Sequence, residues 1–281
     1  MKATARRCVT EMKDLSIRSL FLLIAIAFCT SAFAYEERPS LHALVIGNND
    51  YPMAPLRNSI NDANAIAEQL EEQGFVVTRL LDVGGNDLQS EVEQFYSRLE
   101  NDEEERVVGL VYYAGHAIQI DHRNYLVPLD IQFGDPDRFV EGLFDINDLL
   151  SSIPESGDIQ SIIILDACRD NPFAGMEGMD ESVKINDGLA PIRAPVGTLI
   201  AYSTEPGATA SDGKGKNGLY TTYLLKHMDD QIPIEEVFKK VRKDVSKKSK
   251  KRQIPWEHSS LLWDVFINAP LNKEVPELMT F

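Results

Sequence analysis

Short apolar runs alternate with amphipathic stretches along most of the 281 residues. "LHALVIG" (41–47) closes on Gly47-Asn48-Asn49-Asp50, the pattern of a buried strand that ends in a loop. From Ser59 to Gln73, Ile60, Ala63, Ile66, Ala67 and Leu70 recur at helical spacing, and Gly74 stops the helix. "FVVTRLL" (75–81) predicts the next strand, Gly84-Gly85-Asn86 a turn, and Asp87 the cap of a helix to about Leu99. A third strand is predicted over "RVVGLVYYAGH" (106–116), a short hairpin segment over "NYLVPLD" (124–130), and a helix over Asp145–Ile153. "IQSIIILDAC" (159–168) is the fourth main strand. The stretch from Pro172 to Pro195, with three glycines and few aliphatics, predicts a long exposed loop. "VGTLIAY" (196–202), helices near Leu219–Met228 and Ile234–Val245, and a strand over "SSLLWDVFI" (259–267) complete the pattern. Strands alternating with helices predict an α/β fold, a mostly parallel sheet with helices on both faces.

The first 34 residues stand apart. Lys2, Arg6, Arg7, Lys13 and Arg18 lead to an apolar run, Leu20–Phe28, and then to Ala32-Phe33-Ala34. That is the pattern of a secretory signal peptide with cleavage after Ala34, and it predicts an exported, periplasmic or secreted protein with no stable membrane insertion. The apolar run is short for a membrane span. Met12 is a second possible start, and bulky Phe28 makes Cys29 a poor lipid-attachment site.

Removing the leader takes Cys8 and Cys29 with it and leaves Cys168 as the one cysteine. An intramolecular disulfide and a cysteine-based zinc cluster are then excluded. The thiol is a nucleophile, a core residue or a link between chains. The chain carries 28 basic and 44 acidic residues, net −16, which opposes nonspecific binding to nucleic acid or anionic membrane. "KKVRKDVSKKSKKR" (239–252) runs the other way, with nine basic residues and one acid. It is read as a solvated helix end, or as a docking patch for an acidic partner.

In open parallel sheets ligands gather outside the carboxyl ends of the strands. There the third strand brings His116 and the fourth brings Asp166-Ala167-Cys168-Arg169. A thiol beside an imidazole is the minimum equipment for covalent catalysis on a carbonyl, because the base raises the thiolate fraction and later protonates the leaving group. His42, His227 and His258 fit this role worse, and His122, in the following loop, is the rival base.

"VYYAGHA" and "LDACRDNPF" resemble the His and Cys motifs of the caspase-like peptidases (peptidase C14, clan CD), in the bacterial metacaspase-like branch. "LHALVIGNNDY", "LRNSINDANAIAEQL", "GTLIAYSTEPGATASDG" and "QIPWEHSSLLWD" extend the resemblance from about Leu41 to Ile267, and the spacing of 52 from His116 to Cys168 suits it. It implies a caspase-like sheet flanked by helices and a cysteine endopeptidase acting on protein or peptide substrates. Cys168 would be the nucleophile, His116 the general base and acid, and the backbone N–H groups of Cys168 and Ala117 the oxyanion hole. Ala117 stands where the family usually has Gly. The resemblance also implies a large-subunit-like part (41–173), a linker loop (174–195) that the enzyme itself cuts, and a small-subunit-like part (196–268), all within a domain of 35–270 followed by a tail of 271–281.

Specificity follows from charge. The resemblance implies that Asp166, two residues before the cysteine, and Asp62 of "NDA" line one pocket, with Asp212 of "ASDG" a weaker third candidate, and their charge predicts that it takes an Arg or Lys side chain through charge-assisted hydrogen bonds. Asp166 has the bland alternative of a cap or turn residue, and Arg57 and Arg169 are the cations that would neutralise the pocket. Lys184 and Arg193 are linker positions suited to that preference. No cofactor and no metal are expected, calcium dependence and oligomeric state are left open, and no partnership with nucleic acid is expected. The alternative from another class is a catalytically weak caspase-like scaffold that binds or regulates.

Overall fold

The chain divides at Arg38/Pro39 into two compact units. A computed structural model describes residues 38–52, 54–168, 185–186, 188–205 and 215–269, with the backbone alone at Cys168. The expected leader, Arg169, Lys184, Asp212 and the C-terminal tail lie outside the described residues.

In the second unit, strands β1 (Ser40–Gly47), β2 (Val76–Leu81), β3 (Val107–Ile120), β6 (Ile159–Cys168), β8 (Thr198–Tyr202) and β9 (Trp256–Ser259) form the main sheet, in the order β2-β1-β3-β6-β8-β9. The first five in that order are mutually parallel, and β9 is antiparallel at the edge. Both faces are covered. Helices α1 (Ser59–Glu72), α5 (Leu219–Met228) and α6 (Ile234–Lys248) pack on one face, and α2 (Gly85–Glu100) and α4 (Ile146–Ser151) on the other. Strands buried on two sides need apolar residues at consecutive positions, which is why β1, β3, β6 and β8 read as unbroken aliphatic runs. The whole of β3 is buried.

Local chemistry sets the element ends. Gly74 adopts φ +91°, and Phe75 N–H and Gly74 N–H reach back to the Leu70 and Glu71 carbonyls, so only glycine terminates α1 without cost. At the head of α2, Gly84 is the cap, not Asp87. The Asp130 carboxylate accepts from Gly85 N–H at 2.8 Å, and a side chain at Gly84 would meet it at 2.6 Å. Between Asp130 and Phe144 lies a further helix, α3 (Pro136–Glu141), capped by Asp135 with Pro136 in its first turn.

Three further expectations are corrected. The third strand runs four residues past His116, where "AIQI" turns at Asp121-His122 (φ 47° and 65°) and returns as β4 (Arg123–Leu126). β4 in turn pairs with β5 (Phe144–Asp145), and β7 (Ile185–Asn186) adds to the far end of β3. The last strand is 256–259, not 259–267. The ladder ends when Ser260 N–H bonds the Thr198 carbonyl, and Leu262 N–H bonds the Gln160 side chain instead. Val265 and Ile267 are buried, so the apolar pattern there records packing rather than pairing. The end of the supposed exposed loop is anchored. Leu189 and Ala194 are buried, Asn124 bonds Ala190 through both its amide atoms, and His258 Nδ1 lies 3.1 Å from the Ile192 carbonyl and 3.3 Å from Ala194 N.

Candidate active site

The register of β3 against β6 makes His116 the direct partner of Cys168. Parallel neighbours lie about 4.8 Å apart, so the two backbones adjoin at the carboxyl edge of the sheet. His122 sits at the exposed hairpin tip, six residues after His116 and beyond the end of β3, where it meets Gln119 at 3.5 Å. It is no rival for the position beside 168.

His116 is held by groups that no sequence pattern marks. Its Nε2 lies 2.7 Å from the carbonyl of Ala54, in the loop between β1 and α1. A carbonyl only accepts, so Nε2 carries the proton and Nδ1 is the basic nitrogen of the neutral ring. The ring packs on Tyr51 with centroids 4.5 Å apart. Tyr51 hydroxyl accepts from His116 N–H at 3.0 Å and donates to the Val127 carbonyl at 3.0 Å, and Tyr113 hydroxyl donates to the His116 carbonyl at 2.8 Å. Burial, the largest influence, pushes Tyr51 up to about 12, so its hydroxyl stays protonated at any working pH. Gly115 is required at this point, because a Cβ there would lie 2.5 Å and 2.7 Å from the Tyr113 and Tyr51 hydroxyls.

Ala117 pairs with Leu126 across the hairpin, while Val127 N–H bonds the His116 carbonyl. Ladder bonds alternate in an antiparallel pair, so the Ala117 N–H faces away from β4, toward the β6 side of the strand. The backbone at Ala117 has an ordinary strand φ, and the position makes no demand for glycine.

Asp62 and Asp166 come together around Gly218. A Cβ there would lie 3.0 Å from Asp62 Oδ2 and 3.9 Å from Asp166 Oδ2. Asp62, buried on α1, accepts from Asn217 Nδ2 at 2.8 Å and Gly218 N–H at 3.0 Å. Asp166 accepts from the Thr221 hydroxyl at 2.6 Å and from the Tyr112 hydroxyl at 3.3 Å, and the Tyr112 and Thr221 hydroxyl oxygens lie 2.7 Å apart. These donors are neutral, so they fix the carboxylates without cancelling their charge. Burial first, and then the Asp166 and Asp62 charges, hold the Tyr112 phenol well above its usual range. Asp166 is therefore a strand residue tied to α5, not a cap or turn residue. Arg57 is exposed and forms no ion pair among the described residues. Among the described residues there is also no group of three His, Cys, Asp or Glu side chains that could hold a metal ion.

The family model of the caspase domain matches residues 40–266. The chain belongs to the caspase family. Over 209 residues, 73% of this chain, it is 26% identical to human mucosa-associated lymphoid tissue lymphoma translocation protein 1 and 27% identical to the mouse homologue. It spans about a quarter of their length, 24% and 23%. The Drosophila initiator caspase Dronc superposes with a TM-score of 0.58 at 13% identity, covering 81% of this chain and 82% of that one. A protein from Geobacter sulfurreducens also superposes with 0.58, at 15% identity, over 83% of this chain and all of its own. At these identities the two structures speak for the caspase fold alone. The caspase domain supplies a cysteine-peptidase type of scaffold, and caspase-like proteases act on protein substrates.

Proposed function

We propose that this chain is a cysteine endopeptidase that cleaves after Arg or Lys. The observation that carries the reading is the register match of His116 with Cys168, two residues from an Asp166 that shares one cluster with Asp62. In the proposed reaction His116 Nδ1 takes the thiol proton and the Cys168 thiolate attacks the scissile carbonyl. The oxyanion accepts hydrogen bonds from the N–H groups of Ala117 and Cys168, donors that each contribute a few kcal/mol, about 3, to the transition state. The tetrahedral adduct collapses as the imidazolium protonates the leaving amine, and water then hydrolyses the thioester by the same steps in reverse roles. The Ala54 carbonyl fixes the ring and stabilises the imidazolium without titrating itself. Asp62 and Asp166 receive the cationic side chain, and Asp212 is a further proposed member of that pocket.

Fluorogenic peptides that differ only in the residue before the bond test the reading. Cleavage after Arg or Lys, none after Asp, and none at all by Cys168→Ala is expected. Preference for Asp would overturn it. Self-processing belongs to the same proposal. Arg193 is exposed, but Ala190, Ile192 and Ala194 beside it are pinned, so the linker cut is assigned to Lys184. Export with removal of residues 1–34 completes the reading, and the N-terminal sequence of the secreted product checks it.

A further inference from the structure

The outer face of α6 holds a basic strip that the catalytic reading does not use. Val237, Phe238, Val241 and Val245 bury one side of the helix, and Lys239, Lys240, Lys243 and Lys247 project from the opposite side. Lys239 and Lys240 are paired with Glu236 and Asp230, whereas Lys243, Lys247, Lys250 and Lys251 form no ion pair among the described residues. The helix dipole explains cations in the last turn only, so it does not account for Lys243 or for the lysines beyond the helix. Those two, Lys250 and Lys251, adopt φ 56° and 63°, a left-handed backbone that is strained for a residue with a side chain and free for glycine. The turn is held by Lys251 N–H on the Ser246 carbonyl at 2.7 Å, and by Gln253 N–H on the Ser249 hydroxyl at 3.1 Å.

That turn lies at the catalytic edge of the sheet. Gln253 Nε2 donates to the Ser203 carbonyl at 2.9 Å, and Ser203 directly follows Tyr202, the partner of Leu165 in the β6 strand that ends at Cys168. Two strand spacings and two residues of rise put Gln253 on the order of 12 Å from position 168, and Lys251 and Lys250 precede it by two and three residues. An extended peptide covers that in about four residues.

We propose that Lys243, Lys247, Lys250 and Lys251 form an exosite that holds an acidic segment of the protein substrate, some four or more residues from the bond to be cut. The proposal rests on the peptidase reading for its substrate. The occupant is a narrow polypeptide because the rest of the chain is strongly acidic, net −16 overall. An extended anionic membrane would meet that charge as well as the strip, and the apolar face of α6 is committed to the core and has nothing to insert. Residues 239–252 contain no aromatic side chain, so there is no stacking platform for single-stranded nucleic acid.

The test uses the full chain with Lys243, Lys247, Lys250 and Lys251 changed together to Gln, and a control with all four changed to Arg. Melting curves establish that both fold. Anisotropy of a labelled oligoglutamate peptide on the Cys168→Ala chain should show binding that weakens with salt, falls at least about tenfold in the Gln form and survives in the Arg form. Equal binding by the Gln form, or tighter binding of anionic phospholipid vesicles or single-stranded DNA, overturns the exosite. In the second arm, Arg peptides with and without a distant acidic block are compared. The block should raise kcat/KM in the unmodified chain and have no effect in the Gln form, which should cut the short peptide as the unmodified chain does. If neither peptide is cut, the peptidase reading fails, and the anisotropy arm still decides whether the acidic docking surface exists.

Discussion

Replacing Tyr51 with Phe tests how the structure holds His116. The ring and its packing stay, and one hydroxyl goes. With it goes the acceptor of the buried His116 N–H, which the β3–β4 ladder does not replace, and a donor to Val127. Losing the partner of a buried donor costs about 1–3 kcal/mol. Around 2 kcal/mol corresponds to a fall of about 4–8 °C in Tm for a domain of this size. Tyr113→Phe removes a hydroxyl from the same cluster with a smaller result. The His116 carbonyl that it serves keeps Val127 N–H at 3.0 Å. Its cost is about 1 kcal/mol or less, under roughly 4 °C. Calorimetry and urea denaturation of both variants give the comparison, and peptide cleavage should fall more in Tyr51→Phe, through kcat rather than KM. A Tyr113→Phe protein as destabilised as Tyr51→Phe would refute the reasoning.

Asp166→Asn and Asp62→Asn each exchange a carboxylate for a neutral amide of the same shape, and each should lower kcat/KM for an Arg peptide about 10- to 100-fold, with little change in Tm. Stability should also fall in acid. His227, and then Lys240, hold the Asp230 carboxyl below its ordinary range, and Lys226, and then His227, do the same for Asp244. A carboxyl that titrates lower when folded contributes stability above its unfolded value, near 3.8, and loses it as pH drops through the folded one. Urea midpoints taken from pH 7 down to pH 3 should therefore decline less steeply for Asp244→Asn, and an unchanged acid limb would contradict that assignment.

The main sheet was legible because its strands are buried on both faces and so are apolar at every position. Pairing His116 with Cys168 followed from two polar interruptions at matching strand ends, and Asp62 with Asp166 from the motifs that carry them. What holds these residues was not legible. The Ala54 carbonyl and the Gly218 amide are backbone atoms, which leave no mark in a list of side chains. Thr221 comes from a helix more than fifty residues after Asp166, and no periodicity links them. The hairpin segment after His116 was legible, but not the four-residue extension of the third strand that it pairs with: "AIQI" continues an apolar strand without a break, and the Asp-His turn lacks the glycine that marks such turns. The misplaced last strand has the opposite cause: Leu261, Val265 and Ile267 are apolar because they cover the core, without any ladder to join.

The account stands most directly on whether position 168 carries a nucleophile activated by His116 and aimed at a basic residue. A peptide that ends in Arg and carries a thiol-reactive group should add one equivalent of label per chain, mapped by peptide mass spectrometry to Cys168. The label should be lost in Cys168→Ala and strongly slowed in His116→Ala, and the matching Asp-ended peptide should leave the protein unmodified. Equal labelling of the unmodified chain and His116→Ala, or faster labelling by the Asp-ended peptide, would contradict the account.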